Sequence, residues 1–147
     1  MRPKCPLRGE YLEGPLIYQA TVKTKNDTKK YIGSAGSTFK DRYYTHTQSL
    51  EHRHVNSTAL STYIWKQRDK GKFCEKIAEC DESVCNHSLT WNIKAKTGVY
   101  NAGAKFCDNC LTEKTYIMLA DTTNMLNVRT EILNKCRHML KYTLGNI

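Results

Sequence analysis

The sequence predicts an α+β fold in which a small antiparallel sheet of three strands is flanked by helices. Residues 16–22 alternate between apolar and polar side chains, as a half-buried strand does, and residues 30–33 form a second short run of β-favouring residues. The polar segment KTKNDTK between them is turn-prone, so the two runs are predicted to form a β-hairpin. The segment LTWNI at residues 89–93 alternates in the same way and predicts a third strand.

A first helix is predicted directly after the hairpin. Thr38 followed by Asp41 fits a capping box, which indicates a helix from residue 38 to about residue 50. Its spacing directs Phe39 and Tyr43 towards the core.

A second helix is predicted after the loop EHRHVN, with Asn56 or Ser57 as its cap and Gly71 at its end. One side of it has helical spacing and carries Leu60, Tyr63, Ile64 and Gln67.

The C-terminal third is predicted to hold a basic loop and two further helices. The loop covers residues 94–105, one helix covers residues 111–120, and the segment DTTN is a turn. The last helix runs from about Met125 to Leu144.

Composition favours one domain with a polyanionic partner. The chain has 147 residues, and its 23 Lys and Arg against 14 Asp and Glu give a net charge of +9. Nucleic acid is the obvious partner for such a charge. No apolar run approaches the roughly 20 residues of a membrane span, and residues 1–14 form an irregular segment without a hydrophobic signal core. We therefore expect an intracellular protein with no membrane contact.

The cysteines favour metal binding over a disulfide framework. Their number, seven, is odd, which argues against a fully paired set. Two close pairs supply the four soft ligands of a tetrahedral zinc site, although the second spacing is not that of a standard finger. These ligands are Cys107, Cys110, Cys136 and His138. The alternative is that these cysteines are buried small hydrophobic residues. The looser set around Cys74 and His87 is explained more simply by a strand and a polar loop.

A candidate site lies where the hairpin meets the first helix. The hairpin brings Tyr18 and Tyr31 near each other, and the helix carries Arg42 and His46 four residues apart on one face. Two phenols, a guanidinium and an imidazole are thus predicted to converge at the mouth of the sheet.

The pair LIY and YIG, followed by FKDRYYTH, resembles the GIY-YIG endonuclease family. Further matches follow in the family's order: NSTALSTYIW, LTWNI, a glutamate in CLTEKTYIML and an asparagine in MLNVR. They extend from Leu16 to Arg129, and Leu16 stands where the family name has glycine. The resemblance implies a nuclease domain over residues 15–145 with a C-terminal Cys/His zinc-binding element. It adds Glu113 and an asparagine to the site, and Asn127 fits the motif better than Asn124 does.

The chemistry implied by this resemblance is metal-dependent hydrolysis of DNA. Glu113 would hold Mg²⁺ or Mn²⁺ against the scissile phosphate, since a hard ion prefers oxygen ligands. Arg42 would clamp the transition state, because its planar fork matches phosphate. Either Tyr18 or Tyr31 would be the general base, and we expect the cation-rich site to lower the phenol pKa from its usual value of about 10. His46 would orient a tyrosine or contact phosphate.

Within the family, the similarity is closest to the endonuclease domain of Penelope-like retroelements. It is carried by CPLRGEYL near the N-terminus, where Tyr11 stands in place of a second cysteine, and by CDNCLTEK and CRH. This similarity implies a nuclear protein that derives from a larger polyprotein, with a reverse transcriptase on another chain or a longer precursor. Two alternatives remain: a zinc-stabilised DNA-binding protein with an inactive nuclease site, and a repair or structure-specific nuclease of the same fold. The sequence indicates no oligomeric state.

Overall fold

The computed structural model describes residues 14–74, 87–99 and 107–127. Over these residues the fold is α+β, with one antiparallel sheet of three strands and three α-helices, as predicted. The strands are β1 (Leu16–Lys23), β2 (Thr28–Ala35) and β3 (Ser88–Lys96), in the spatial order β2-β1-β3. The helices are α1 (Phe39–Glu51), α2 (Ala59–Asp69) and α3 (Asp108–Leu119).

Strand β1 lies at the centre of the sheet and is buried on both faces. All seven residues from 16 to 22 are buried, so the predicted half-buried strand is wrong at this point. The alternation is real, but Gln19 and Thr21 on its polar side are also buried, and the Gln19 amide donates a hydrogen bond to the Thr21 hydroxyl. The other face of β1 carries Tyr18, Ala20 and Val22 into the main core.

The β1–β2 hairpin sets which side chains share a face. Its turn is closed by a hydrogen bond of 2.8 Å from the Thr24 N–H to the Asp27 carbonyl. The register pairs Tyr18 with Gly33 and Ala20 with Tyr31. Because directly paired residues project to the same face, both tyrosines lie on the face that α1 covers.

Helix α1 begins at Phe39, one residue later than predicted, and without the predicted capping box. The Thr38 side chain makes no cap hydrogen bond to the backbone. Instead, the Ser37 and Thr38 hydroxyls both donate to the Asp41 carboxylate, at 3.0 and 3.4 Å. Phe39 is buried and Tyr43 packs at the edge of the core, as expected.

Helix α2 is capped one or two residues later than predicted. Thr58, rather than Asn56 or Ser57, is the N-cap, and it exchanges hydrogen bonds with Ser61 in a complete capping box. The helix ends before Gly71, whose φ of +69° is in the region that favours glycine.

The remaining elements differ from their predicted bounds. Strand β3 continues to Lys96, into the segment predicted to be a basic loop. Helix α3 starts at Asp108, three residues earlier than predicted, with Cys107 as its N-cap. A short 3-10 helix (Thr122–Asn124) follows it.

Residues 125–127 are not helical, because Met125 pairs with Lys30 on the edge of β2. The rest of the predicted last helix lies outside the described residues.

No helix in the described ranges combines the length and the apolar character that a membrane span requires.

Candidate active site

Four of the six predicted catalytic residues come together where β1, β2 and α1 meet, and the charge of a fifth residue on α3 acts on this group. Tyr18 and Tyr31 come from the hairpin, Arg42 and His46 from α1, and Glu113 from α3. Tyr18 bonds to His46, and the charges of Arg42 and Glu113 act on Tyr18. The site thus combines two phenols, an imidazole, a guanidinium and a carboxylate.

Tyr18 is completely buried, and its hydroxyl lies 2.5 Å from His46 Nε2. The ring meets the edges of Phe39 and His46 at centroid distances of 5.3 and 5.6 Å. It also lies against the backbone of Gly33, where a Cβ atom would be 2.3 Å from the phenol oxygen. Glycine at position 33 therefore provides the space that the buried phenol occupies.

Burial raises the pKa of Tyr18 above its usual value of about 10, and repulsion from Tyr31 adds to the effect. The positive charge of Arg42 acts in the opposite direction, but its effect on the Tyr18 pKa is smaller. The expectation that a cation-rich site lowers the phenol pKa is therefore wrong for Tyr18. At a fully buried oxygen, the loss of hydration raises the phenol pKa more than one nearby cation lowers it.

His46 is buried in an aromatic cluster and is neutral at physiological pH. Burial, together with the positive charge of Arg42, lowers its pKa to about 3. Its ring lies 5.8 Å from Tyr31 and 5.3 Å from Trp91, centroid to centroid. In a neutral imidazole only one ring nitrogen carries a hydrogen, so the tautomer of His46 decides whether Tyr18 or His46 donates in this bond. His46 Nδ1 has no hydrogen-bond partner among the described residues.

Arg42 is half-buried and remains positively charged. Burial alone would lower the pKa of the guanidinium. Its interactions with Tyr18, Tyr31 and Glu113 favour the charged form more strongly, so the pKa is raised. Its buried Nε has no hydrogen-bond partner within the described part of the chain. The side chain is thus a permanent cation with donor capacity directed into a cluster of phenols and a carboxylate.

Glu113 lies in the second turn of α3, where its carboxylate accepts a hydrogen bond of 2.6 Å from the Ser34 hydroxyl. The carboxylate is half-buried, and its charge acts on both Tyr18 and Arg42. A hard cation fits this oxygen donor, because Mg²⁺ usually takes one or two carboxylates and keeps several waters. The described residues include no group of three or more His, Cys, Asp or Glu side chains placed to hold a metal.

Asn127 occupies a different place from the other five residues. Its side-chain amide pairs with the backbone of Ile32, accepting from the N–H at 2.7 Å and donating to the carbonyl at 2.8 Å. Ile32 lies between Tyr31 and Gly33, so Asn127 holds the segment of β2 that supplies the site. Asn124, the other asparagine considered from the sequence, is exposed.

Half of the predicted zinc site falls within the described residues. Cys107 and Cys110 are both buried at the start of α3, and the Cys110 N–H donates to Cys107 Sγ at 3.5 Å. This cap brings both sulfur atoms to one end of the helix, as a C-x-x-C ligand pair requires. Cys136 and His138 lie outside the described residues.

Three residues that contribute to the site were not predicted. Gly33 gives space to Tyr18, Ser34 binds Glu113, and the Trp91 ring lies 5.8 Å from Tyr18 and 5.3 Å from His46. The alternation of LTWNI already placed Trp91 on one face of β3, but only the pairing of β3 with β1 shows which face. The Ser34 contact joins residues 79 positions apart and has no local signal.

The chain has no match among protein-family models, curated proteins or solved structures.

Proposed function

We propose that the protein is a metal-dependent endonuclease that hydrolyses phosphodiester bonds of DNA, with the GIY-YIG family as the group it resembles. The observation that carries the proposal is the grouping of Arg42, His46 and two tyrosines, with the charge of Glu113 acting on Arg42 and Tyr18. A phosphodiesterase needs a base for water, a cation for the phosphate and help for the leaving oxygen. The site contains residues suited to each task.

Arg42 binds the scissile phosphate in this proposal. Its charge is permanent, and its planar fork can donate two parallel hydrogen bonds to phosphate oxygens. The guanidinium lies within the electrostatic range of both phenols, so a phosphate bound there would be next to them.

Tyr31 is the better candidate for the general base. It is half-buried, whereas Tyr18 is fully buried with a raised pKa and bonds to neutral His46. A base must reach the proton that it removes, directly or through one water. We assign to Tyr18 and His46 the role of orienting the Tyr31 side chain. The His46 ring contacts the Tyr31 ring edge-on.

Glu113 would hold Mg²⁺ or Mn²⁺. When bound, such an ion polarises the phosphate and stabilises the departing 3′ oxygen. A structural Zn²⁺ held by Cys107, Cys110, Cys136 and His138 is a further part of the proposal. A nuclear location, an origin in a Penelope-like retroelement and a reverse transcriptase on another chain or precursor are proposed from the sequence resemblance alone.

The proposal is tested by cleavage of supercoiled plasmid DNA with Mg²⁺ or with EDTA. The parent protein should nick or cut only with the metal, and Glu113→Gln should lose this activity. Glu51→Gln, which changes an exposed glutamate at the end of α1, is the matched control and should cleave like the parent. Circular dichroism confirms that each variant is folded. Cleavage by Glu113→Gln at the parent rate would refute the metal assignment.

A second candidate is a zinc-stabilised DNA-binding protein whose nuclease site does not turn over. The raised pKa of Tyr18 and the neutral His46 favour it, because neither group is poised to take a proton at neutral pH. Binding of DNA without cleavage in Mg²⁺ or Mn²⁺ would support this candidate. Cleavage restricted to branched or damaged DNA would instead support a repair nuclease of the same fold.

A further inference from the structure

We propose that Ser34 is a positioning residue that holds the Glu113 carboxylate in the orientation needed to bind the metal. The inference rests on the proposed function, since it concerns the same site. Its basis is the hydrogen bond of 2.6 Å from Ser34 Oγ to Glu113 Oε2. Ser34 is only 2% exposed, so water competes little for its hydroxyl.

Ser34 itself is held rigidly by the sheet. It lies in β2 and pairs with Ile17 of the central strand, next to the Tyr18–Gly33 pair. Side chains alternate along a strand, so Ser34 projects to the face opposite Gly33 and Tyr31. The hydroxyl therefore reaches α3 behind the tyrosines, at a point fixed by backbone pairing.

Helix α3 is also anchored close to the contact. The buried amide of Asn109 donates to the Ala35 carbonyl at 3.3 Å and to the Thr97 hydroxyl at 2.8 Å. Asp108 accepts a hydrogen bond of 2.7 Å from the Gly98 N–H. Glu113 follows about one turn later, so its Cα position is set by these anchors and the remaining freedom is that of its side chain.

The Ser34 hydrogen bond restricts this side-chain freedom. Glutamate loses much rotamer entropy when it is ordered, and a carboxylate that is already oriented loses less when it binds an ion. An ionised carboxylate offers about four acceptor positions over its two oxygens, so one bond from serine is compatible with metal ligation. Supporting hydrogen bonds of this kind to metal ligands typically change metal affinity or activity by 10-fold to 100-fold.

The test compares metal binding with catalysis in the full chain. Binding of Mn²⁺ is followed by electron paramagnetic resonance, and nicking rates are measured over a range of Mg²⁺ concentrations. For Ser34→Ala we expect metal affinity to fall roughly 10-fold or more, while the rate at saturating metal stays within a few-fold of the parent. Ser34→Thr, which keeps a hydroxyl and suits a strand, should restore most of the affinity.

Ser88→Ala is the matched control. Ser88 is a buried serine of the same sheet, and its hydroxyl has no hydrogen-bond partner among the described residues. This variant should bind Mn²⁺ and respond to Mg²⁺ like the parent.

The outcomes separate this inference from the proposed function. Parent-like metal affinity in Ser34→Ala, or a lower rate at saturating metal with unchanged affinity, would overturn the positioning role and leave the nuclease proposal intact. Parent-like Mn²⁺ binding in Glu113→Gln, or a parent protein that does not cleave in any metal, would overturn the proposed function and the positioning role together.

Discussion

At the scale of single residues, Gly33 shows how closely the site is packed. A Cβ atom at this position would lie 2.3 Å from the Tyr18 oxygen and 2.5 Å from its Cζ, so the ring would have to move. We expect Gly33→Ala to cost about 1–3 kcal/mol of unfolding free energy, as overpacking of a core usually does. It should also lower cleavage, because the Tyr18–His46 bond is displaced. Urea denaturation and plasmid nicking measure the two effects.

Gly36→Ala provides the control for this prediction. A Cβ atom at Gly36 would meet no heavy atom within 4 Å. This variant should therefore stay close to the parent in both measurements. Equal stability of Gly33→Ala and Gly36→Ala would contradict the packing described here.

His46 makes the stability of the fold depend on pH in a defined direction. Its pKa is about 3 in the folded chain, against 6.5 in an unfolded one. Between these values the unfolded state binds the proton, so stability is lost as the pH falls below 6.5, by about 1.4 kcal/mol per pH unit. From pH 7 to pH 5 the expected loss is roughly 2 kcal/mol. Urea unfolding at several pH values measures it.

The matched comparison uses two histidine variants. His46→Gln should show a weaker pH dependence between pH 7 and pH 5, whatever its stability at pH 7. His52→Gln, at an exposed histidine just after α1, should keep the dependence of the parent. The same slope in all three proteins would contradict a buried neutral His46.

Which side chains lie close together could be predicted from the sequence better than their properties. Motif spacing along the hairpin and α1 selected Tyr18 and His46, which are indeed in contact. The burial of Tyr18, however, depends on Phe39, Trp91 and Gly33, which pack on it from three elements. Burial determines the pKa, so no local pattern could show that the phenol pKa is raised.

At the scale of elements, the pairing of Asn127 with β2 determines how the chain continues after α3. Asn127→Ala would leave the Ile32 N–H and carbonyl without these partners, at a cost of about 1–3 kcal/mol. We also expect faster hydrogen exchange at the Ile32 amide. Asn124→Ala, at an exposed position of the 3-10 helix, is the control and should change neither quantity.

The result would distinguish two roles for Asn127. A stability loss with a matching fall in cleavage would indicate that it supports β2. A large fall in cleavage with unchanged stability and exchange would contradict this and indicate direct participation in the reaction.

The same pairing explains why the elements could be predicted only in part. Helical spacing after Met125 predicts a helix, yet residues 125–127 are not helical, because the Leu126 N–H donates to the Lys30 carbonyl at 2.8 Å. Pairing with a distant strand edge overrides the local pattern there. The burial of both faces of β1 was hidden for a similar reason, since it depends on what packs on each face of the sheet and not on the strand's own sequence. Helix α1 depends on local signals and was predicted nearly to its ends.

At the scale of the whole molecule, the net charge of +9 should govern DNA affinity more than the site does. Each phosphate neutralised by Lys or Arg contributes about −0.9 to the slope of log affinity against log salt concentration. A footprint of about five phosphates gives a slope near −4.5. We expect Glu113→Gln to keep this slope and to bind DNA at least as tightly as the parent, because it removes one negative charge beside Arg42. Fluorescence anisotropy of a labelled duplex in EDTA, over 50–200 mM salt, measures binding without cleavage. A slope near zero would mean that the excess positive charge does not contact DNA, and it would count against both the nuclease and the DNA-binding alternative.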